Sequence, residues 1–174
     1  MILVTGGGLF YGNEMTKEIQ LTQGKCALVD DADYEWLNQW KWYAFWNGSK
    51  WYSARNERVN FKKKMIYLHR FIINAPSGIE VDHVDGDGLN CTRENMRLCT
   101  SQQNKYNIGI KSDNTSGYKG VTWNANRSKW QAQIKHGKQY KYLGIFDDLE
   151  QAARAYDVAA LELHGDFARV NNEI

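Results

Sequence analysis

Alternating apolar and polar positions mark the first third of the chain. Residues 31–40 combine acidic side chains with apolar ones at helical spacing, which predicts a short helix. Lys41–Phe45 and Lys50–Arg55 alternate between apolar and polar side chains, as strands with one buried face do. Because Asn47-Gly48-Ser49 between them is a turn signal, we expect the two strands to form a hairpin.

The middle of the chain predicts a strand, a long loop, a second strand and a helix. Ile79–His83 and Met96–Cys99 are short apolar runs on either side of a polar loop. Thr100 and Gln103 then match a capping box, in which each side chain accepts the backbone N–H of the other residue. We therefore expect a helix to begin directly after Thr100 and to fold back onto the hairpin.

The last part of the chain follows a small, polar linker at residues 109–116 and predicts a sheet with one helix. Three strand patterns span Tyr118–Asn124, Lys129–Lys135 and Gln139–Phe146. A helix is predicted from about Asp148 to His164, with Asp147 and Glu150 as its capping signature and Gly165 at its end. Alanines on its apolar face allow this helix to lie close to the sheet, which leaves the other sheet face free.

These patterns predict an α+β fold built from successive modules. The predicted parts are an extension at 1–14, a small aromatic and basic N-terminal module at 15–64, the strand–loop–strand–helix core at 65–108, the linker at 109–116, and a C-terminal three-stranded antiparallel sheet packed on one helix at 117–174. The first of these has neither the basic start nor the apolar centre of a signal peptide. Met15 opens a more natural beginning, so we expect it to be the native start.

Charge is uneven along the chain, although the net charge is only +2. Residues 117–146 carry six basic side chains and no acidic one, and residues 50–70 carry seven basic side chains and a single acid, Glu57. Such one-signed stretches indicate either anionic partners or solvated surfaces. The tryptophans and tyrosines of the N-terminal module leave a similar choice, between stacking on nucleic acid and forming a small core.

The cysteines, Cys26, Cys91 and Cys99, argue against a disulfide framework and against a cysteine zinc site, because their number is odd and no CxxC pair occurs. A reduced, intracellular setting fits them best. No apolar run approaches the roughly 20 residues that span a bilayer, so we expect no membrane partner.

Four polar residues around the predicted hairpin form the candidate catalytic set, namely Asp82, His83, Asn95 and Asn104. Histidine titrates near neutrality and suits a general base that deprotonates water. The oxygens of Asp82 and Asn104 are ligands that a hard divalent cation prefers, and a carbonyl oxygen of Asn95 could hold the His83 tautomer. This set of groups suits the hydrolysis of a phosphodiester.

Two neighbouring features are open to other interpretations. The Asp85-Gly86-Asp87-Gly88 run hints at a calcium loop, but His83 stands where the EF-hand pattern needs an acidic ligand. We therefore interpret the run as a flexible turn. His69 either lines the site or is a buried structural histidine.

Residues 68–104 resemble the HNH endonucleases of phages and mobile introns in the stretch LHRFI…VDHVDGDGLNCTRENMRLCTSQQN. The resemblance implies the ββα-metal fold, with His83 as general base, Asp82 and Asn104 as metal ligands, and Asn95 as the central asparagine of the motif. Asn104 stands in place of the third motif histidine, a variant that the family tolerates. The implied cofactor is Mg²⁺ or another divalent cation such as Mn²⁺. Structural zinc is not expected, because the paired cysteines of some relatives are missing.

Residues 117–171 resemble the DNA-binding domain of the plant Apetala-two and ethylene-response-factor proteins in the words YKGV, KWQAQI, YLGIF, EQAARAYDVAA and ARVN. The resemblance implies a sheet that lies in the major groove of DNA. It places on DNA the side chains of Lys119, Thr122, Asn124, Gln133, Lys135 and Tyr142, with Arg127, Trp130, Gln131 and Lys141 as plausible neighbours. Plant members carry arginines where this chain has Thr122 and Asn124, so the plant base specificity is not expected. The alternative is a sheet-and-helix module that binds protein.

Together the two resemblances imply a metal-dependent endonuclease that a C-terminal sheet directs to double-stranded DNA. The alternatives are a non-cleaving DNA-binding transcription regulator with a relic HNH core and a structural or DNA-packaging accessory. We expect a monomer or weak homodimer in the cytoplasm of a bacterial host, encoded by a phage or a mobile element.

Overall fold

A computed structural model of the chain describes residues 16–171. The expectations about residues 1–14 and Met15 lie outside the described residues. Within the described range, no helix is long and apolar enough to cross a membrane.

The N-terminal part contains a two-stranded and a three-stranded antiparallel sheet. Its elements are β1 (Thr16–Gln20), a 3₁₀ turn (Thr22–Gly24), β2 (Cys26–Asp30), α1 (Asp31–Leu37), β3 (Tyr43–Trp46), β4 (Trp51–Val59) and β5 (Lys62–Tyr67). Strand β1 pairs with β2, and β4 lies between β3 and β5. The predicted hairpin is confirmed as β3–β4, whereas the predicted helix ends at Leu37 rather than at Trp40.

The predicted order of strand, loop, strand and helix is confirmed in the middle of the chain. The elements are α2 (Leu68–Ile72), β6 (Glu80–His83), β7 (Met96–Cys99) and α3 (Ser101–Tyr106), and β6 pairs antiparallel with β7. Thr100 caps α3 as predicted. Its hydroxyl accepts the Gln103 backbone N–H at 3.2 Å, and Gln103 Oε1 accepts the Thr100 backbone N–H at 2.9 Å.

One hydrophobic core joins the β1–β2 sheet, α1 and α2 to the β6–β7 hairpin. Its buried members are Ile19, Ala27, Val29, Leu37, Trp42, Leu68, Ile72, Val81, Cys91 and Met96. Trp36 and Trp40 pack beside it on Phe71, with ring centroids 5.4 and 5.2 Å from that ring. These tryptophans therefore form a core rather than a free stacking surface. Strand β5 crosses the expected boundary between the modules at 15–64 and 65–108. Because the two modules also share this core, each stabilises the fold of the other.

The C-terminal part is a three-stranded antiparallel sheet packed on one helix, as predicted. Its elements are β8 (Val121–Asn124), β9 (Lys129–His136), β10 (Gln139–Phe146), α4 (Leu149–His164) and a final 3₁₀ turn (Gly165–Phe167), with β9 in the centre of the sheet. Val121 and Ala132 pack against Ala152 and Ala153 of α4. The small alanines bring the helix axis close to the sheet and seal one sheet face.

The start of α4 differs by one residue from its prediction. The N-cap is Asp148, whose side chain accepts the Gln151 backbone N–H at 2.8 Å. The predicted capping signature of Asp147 and Glu150 is therefore wrong, because the adjacent Asp148 has the same chemistry and the better position. The end of α4 at Gly165 is as predicted.

The C-terminal domain contacts the end of α3 and the β6–β7 hairpin. Tyr106 stacks on His164 with ring centroids 3.7 Å apart and an interplanar angle of 6°. The Lys119 ammonium donates to the Tyr106 carbonyl at 2.6 Å, and Arg97 donates to the Asp166 carbonyl at 2.5 Å. Packing therefore joins the two parts in addition to the linker.

Candidate active site and nucleic-acid interface

Strand β6 and the end of α3 place two carboxylates beside two amides. Glu80 and Asp82 are two residues apart on β6 and therefore share one face of the strand. Asn104 and Asn107 are three residues apart along α3 and its C-cap, so they share one face of the helix. Asn104 donates to Glu80 at 2.7 Å, and Asn107 donates to Asp82 at 2.9 Å. These two hydrogen bonds hold α3 against β6.

Asp82 is only 3% exposed, and its carboxylate is held from two sides. Oδ2 accepts both Nε and Nη2 of Arg97, at 2.8 and 2.7 Å, in an ion pair between residues directly opposite each other on β6 and β7. Oδ1 accepts the Asn107 amide. An ionised carboxylate offers about four acceptor positions, so these hydrogen bonds leave about one position for a further ligand.

His83 follows Asp82 and therefore points to the opposite face of β6, toward a group of aromatic rings. Its ring centroid is 5.0 Å from that of His69 and 6.0 Å from that of Tyr52. Burial lowers the pKa of His83, and the carboxylates of Asp85 and Asp82 oppose this only in part. Burial, together with the nearby His83, lowers the pKa of His69 to about 3. Both imidazoles are therefore neutral at neutral pH.

A cleft opens beside this histidine pair. Among residues 16–171, the buried Nε2 of His83 and the buried Nδ1 of His69 have no hydrogen-bond partner. The cleft has a volume of about 200 Å³ and is lined by Asn47, Tyr52, Tyr67, His69, Arg70, Glu80, Val81 and Asn104. Its wall thus includes Tyr52 and His69, the two rings that lie against His83, together with the Glu80–Asn104 contact.

Asn95 orders the loop between β6 and β7. Its amide nitrogen donates to Asp85 Oδ1 at 3.0 Å and to the Asn90 carbonyl at 2.8 Å, and its amide oxygen accepts the Asp85 backbone N–H at 3.0 Å. Its backbone carbonyl accepts the N–H of Val84 at 2.8 Å. These contacts of Asn95 fix the backbone directly after His83. The expected contact was a different one, between a carbonyl oxygen of Asn95 and the His83 imidazole.

The Asp85–Gly88 run is a hydrogen-bonded turn. Asp85 Oδ1 accepts the Asp87 backbone N–H at 2.8 Å, and Asp87 Oδ1 accepts the Leu89 backbone N–H at 2.9 Å. A Cβ on Gly88 would lie 2.4 Å from the Trp51 carbonyl, so glycine is needed for the turn to pass β4. The carboxylates of this run are used to order the loop itself.

The donor set around Asp82 fits a hard divalent cation. The carboxylates of Glu80 and Asp82 and the amide of Asn104 offer oxygen ligands. Among residues 16–171, no three His, Cys, Asp or Glu side chains converge as a complete ligand set. A cation that keeps several waters and takes one or two carboxylates, as Mg²⁺ does, suits so sparse a set better than structural zinc with its four protein ligands. Cys26, Cys91 and Cys99 are all free.

Three residues of this site are absent from the predicted set: Glu80, Arg97 and Asn107. Strand alternation could have found Glu80, because it lies two positions before Asp82. Helical spacing could have found Asn107, because it lies three positions after Asn104. Arg97 depends on which β7 residue stands opposite Asp82, and a loop of unpredicted conformation sets that register.

The sheet face opposite α4 carries most of the residues expected to contact DNA. The register places Thr122 opposite Gln131 and Gln133 opposite Tyr142. Because side chains alternate along a strand, these four lie on the other side from the buried Ala132. The predicted residues on this free face are Thr122, Asn124, Gln131, Gln133, Lys135 and Tyr142.

The other four predicted residues lie elsewhere. Trp130 packs against the core between sheet and helix, and Lys141 stands opposite the buried Ile134 on the helix side of the sheet. Lys119 is partly buried at the domain contact, and burial, with a smaller effect of Arg169, lowers its pKa to about 8. Arg127 is exposed in the turn between β8 and β9. Six of the ten predicted residues therefore share the free face of the sheet, and the DNA contacts of all ten stay predictions.

Comparison with known proteins supports both parts of this architecture. Residues 74–106 match the model of the HNH endonuclease family, and residues 116–166 match the model of the AP2 domain. An uncharacterised HNH endonuclease of Acanthamoeba polyphaga mimivirus is 33% identical over 155 residues, which cover 86% of this chain and 76% of that protein. Protein 3.8 of Escherichia phage T7 is 39% identical over 95 residues, which cover 54% of this chain and 77% of that protein.

A plant protein is similar over a smaller share of its own length. An ethylene-responsive transcription factor of Arabidopsis thaliana is 26% identical over 153 residues, which cover 74% of this chain but only 34% of the plant factor. The hairpin-and-helix core and the C-terminal sheet thus define a nuclease-type core joined to a DNA-binding module. The chain belongs to the HNH endonuclease family and carries an AP2 domain.

Proposed function

We propose that the chain is a metal-dependent endonuclease that hydrolyses phosphodiester bonds in double-stranded DNA. The observation that carries this proposal is a buried, neutral histidine directly after a buried carboxylate, beside a cleft between β6, α2 and α3. His83 would act as general base. Asp82 and Asn104 would hold Mg²⁺ or Mn²⁺, and Asn95 would fix the backbone beside the base.

The chemistry follows from the protonation state of His83. Only a neutral imidazole can accept a proton from water, and burial keeps His83 in that form. In the proposed reaction, His83 takes a proton from water, the water oxygen bonds to phosphorus, and the bond from phosphorus to the 3′ oxygen breaks. The 3′ oxygen takes a proton from solvent, which leaves 5′-phosphate and 3′-hydroxyl ends. When bound, the cation stabilises charge on the phosphate and on the leaving oxygen.

The free face of the C-terminal sheet would bring DNA to this core. Glutamine and lysine side chains on that face can reach base edges and phosphates in the major groove. The stacking of Tyr106 on His164 joins the sheet domain to α3. DNA bound to the sheet would therefore be held in a defined position relative to the cleft.

Cleavage of supercoiled plasmid in Mg²⁺, repeated in EDTA, tests the proposal. We expect the wild-type chain to nick or linearise the plasmid only with the metal. His83→Ala should abolish cleavage and leave DNA affinity unchanged. Glu162→Ala is the control, because Glu162 is exposed on α4 and belongs to neither candidate site. Cleavage by His83→Ala at the wild-type rate would refute the assignment of the base.

A second candidate function is DNA binding without cleavage. The observation that favours it is the ion pair between Arg97 and Asp82, which already neutralises the carboxylate that would hold the metal. Under this hypothesis the chain binds DNA in a salt-dependent way but leaves the plasmid intact with Mg²⁺ and with Mn²⁺. The same plasmid assay therefore separates the two functions.

A further inference from the structure

A long hairpin of the N-terminal part extends from the fold into solvent. It consists of β4 and β5, joined by the two-residue turn Asn60-Phe61. All residues from 56 to 65 are exposed, and Asn56 at the base of this stretch donates to the Tyr43 hydroxyl at 3.0 Å. A two-stranded ribbon gains little stability by itself, which indicates that its projection serves another purpose.

Phe61 at the tip of the hairpin is unusual in both exposure and backbone conformation. Its side chain is fully exposed, although phenylalanine is normally among the more buried residues. Asn60 and Phe61 have φ values of 50° and 63°, so both central residues of the turn are left-handed. Glycine is strongly preferred after asparagine in such a turn, and phenylalanine is strained there. Phenylalanine strains this turn, and its exposed ring is unfavourable in water. Its presence is explained best by a contact between the ring and a binding partner.

The tip is also densely cationic. Arg58, Lys62, Lys63 and Lys64 surround Phe61. The register places Arg58 directly opposite Lys63, and like charges in that position repel each other. Glu57 is the only acid of the ribbon, and its ion pair is with Arg55, at 3.4 Å. The four cations of the tip therefore favour an anionic partner, and Phe61 is accompanied by the exposed apolar side chains of Val59 and Met65.

The inner end of the same hairpin borders the candidate active site. Tyr52 of β4 lies against His83, and β5 runs directly into α2, which carries His69. Five residue steps separate the Ala54–Tyr67 pair from the Val59–Lys62 pair at the tip. At about 3.3 Å a residue, the Val59–Lys62 pair is roughly 17 Å along the ribbon from the Ala54–Tyr67 pair. The Tyr67 ring stacks on His69, with ring centroids 5.3 Å apart. A DNA duplex that reaches the cleft would lie within reach of the tip.

We propose that the β4–β5 hairpin is a second DNA-binding element, in which Phe61 is a wedge that enters the minor groove and partly unstacks one base step. Phosphates on both sides of the groove would contact Arg58 and the three lysines. Apolar wedges flanked by basic side chains kink DNA by about 20–90° in proteins that bind the minor groove. The kink would lie roughly five base pairs from the scissile phosphate, because the ribbon is about 17 Å long and successive base pairs are about 3.4 Å apart. This inference rests on the part of the proposed function that has the chain bind duplex DNA, and it does not require cleavage.

The test measures affinity and bending in EDTA, so that no strand is cut. The probe is a random-sequence duplex of about 30 base pairs with a fluorescent donor and acceptor at its ends. Wild-type protein should bring the two ends closer together. Phe61→Gly should abolish this bend and weaken binding about tenfold, which is within the range that one base–aromatic stack contributes in complexes with single strands. The same variant should raise the melting temperature of the protein, because glycine suits the turn.

Three further variants separate the contribution of the Phe61 ring to DNA binding from that of the lysine charges. Phe61→Trp keeps an aromatic ring and should retain the bend. Replacement of Lys62, Lys63 and Lys64 by glutamine should lower the slope of log affinity against log salt by roughly 2–3, at about 0.9 for each phosphate that the variant no longer neutralises. Val158→Ala is the matched control, because Val158 is an exposed apolar residue on α4 and should change neither readout.

The outcomes distinguish this inference from the proposed function. If Phe61→Gly binds and bends the duplex as the wild type does, the wedge is wrong, whatever the plasmid assay shows. If the wild type binds the duplex without bending it, the wedge is also wrong. A bend without cleavage of plasmid in Mg²⁺ supports the wedge and refutes the nuclease. No binding to the duplex overturns the wedge, and the plasmid assay then decides separately whether the chain is a nuclease.

Discussion

Loss of the ion pair between Arg97 and Asp82 should lower the free energy of unfolding, by an amount that depends on how deeply the pair is buried. Arg97→Gln removes both charged hydrogen bonds to a carboxylate that is 3% exposed, and leaves it with the single amide of Asn107. Removing one partner of a buried ion pair costs about 3–5 kcal/mol, because the remaining charge stays buried without compensation. The Arg97 side chain is 22% exposed, which places the expected loss near the lower end of that range.

A second contact of Arg97 adds to this loss. The guanidinium lies over the Phe167 ring, 4.1 Å from its centroid, and such a contact contributes about 0.5–1 kcal/mol. We therefore expect Arg97→Gln to lower the free energy of unfolding by about 3–4 kcal/mol. Urea titration followed by tryptophan fluorescence measures this change.

A double-mutant cycle shows whether the charge of Asp82 is the cause. Asp82→Asn removes the charge and nearly keeps the shape, so Arg97→Gln should cost much less in that background. We expect a coupling free energy of about 2–3 kcal/mol, at the upper end of the range for residues in contact. A coupling below about 0.5 kcal/mol, or a single-variant loss below about 1 kcal/mol, would refute the reasoning, since such values are typical of exposed pairs.

Two further predictions concern acid sensitivity and salt dependence. His69 has a folded pKa of about 3 against an ordinary 6.5, so the unfolded state binds a proton that the folded state does not. The free energy of unfolding therefore decreases as the pH falls below 6.5, by about 1.4 kcal/mol at pH 5.5. Urea titrations at pH 7.5 and 5.5 measure this loss, which should be smaller for His69→Phe than for the wild type. Lys135 on the free sheet face should contact phosphate, so Lys135→Gln should lower the slope of log affinity against log salt by about 0.9. Lys119→Gln should leave this slope unchanged, because the Lys119 ammonium donates to the Tyr106 carbonyl. Equal slopes for the two variants would contradict the assignment of the DNA-binding face.

The parts of the fold that depend on neighbours in the sequence were predictable. The capping box of Thr100 and Gln103 is an interaction across three residues, and its pattern predicts it correctly. The cap of α4 shows the limit of this reasoning. Asp147 and Asp148 are chemically equal candidates, and only the path of the chain after β10 makes Asp148 the cap. The side of the sheet on which Trp130 lies was missed, since it depends on the register of the strand and on the position of the helix.

What the sequence by itself determined is the order of the elements, the Asp82-His83 pair at the end of a strand, and the two family resemblances. All of these depend on spacing along the chain. Only the tertiary structure decided that Arg97 neutralises Asp82, that His69 lies against His83, and that the domains meet at Tyr106. These contacts join residues on different elements, and their geometry depends on strand register and on burial in a shared core. Local spacing cannot specify either, because each is fixed only when the whole chain packs.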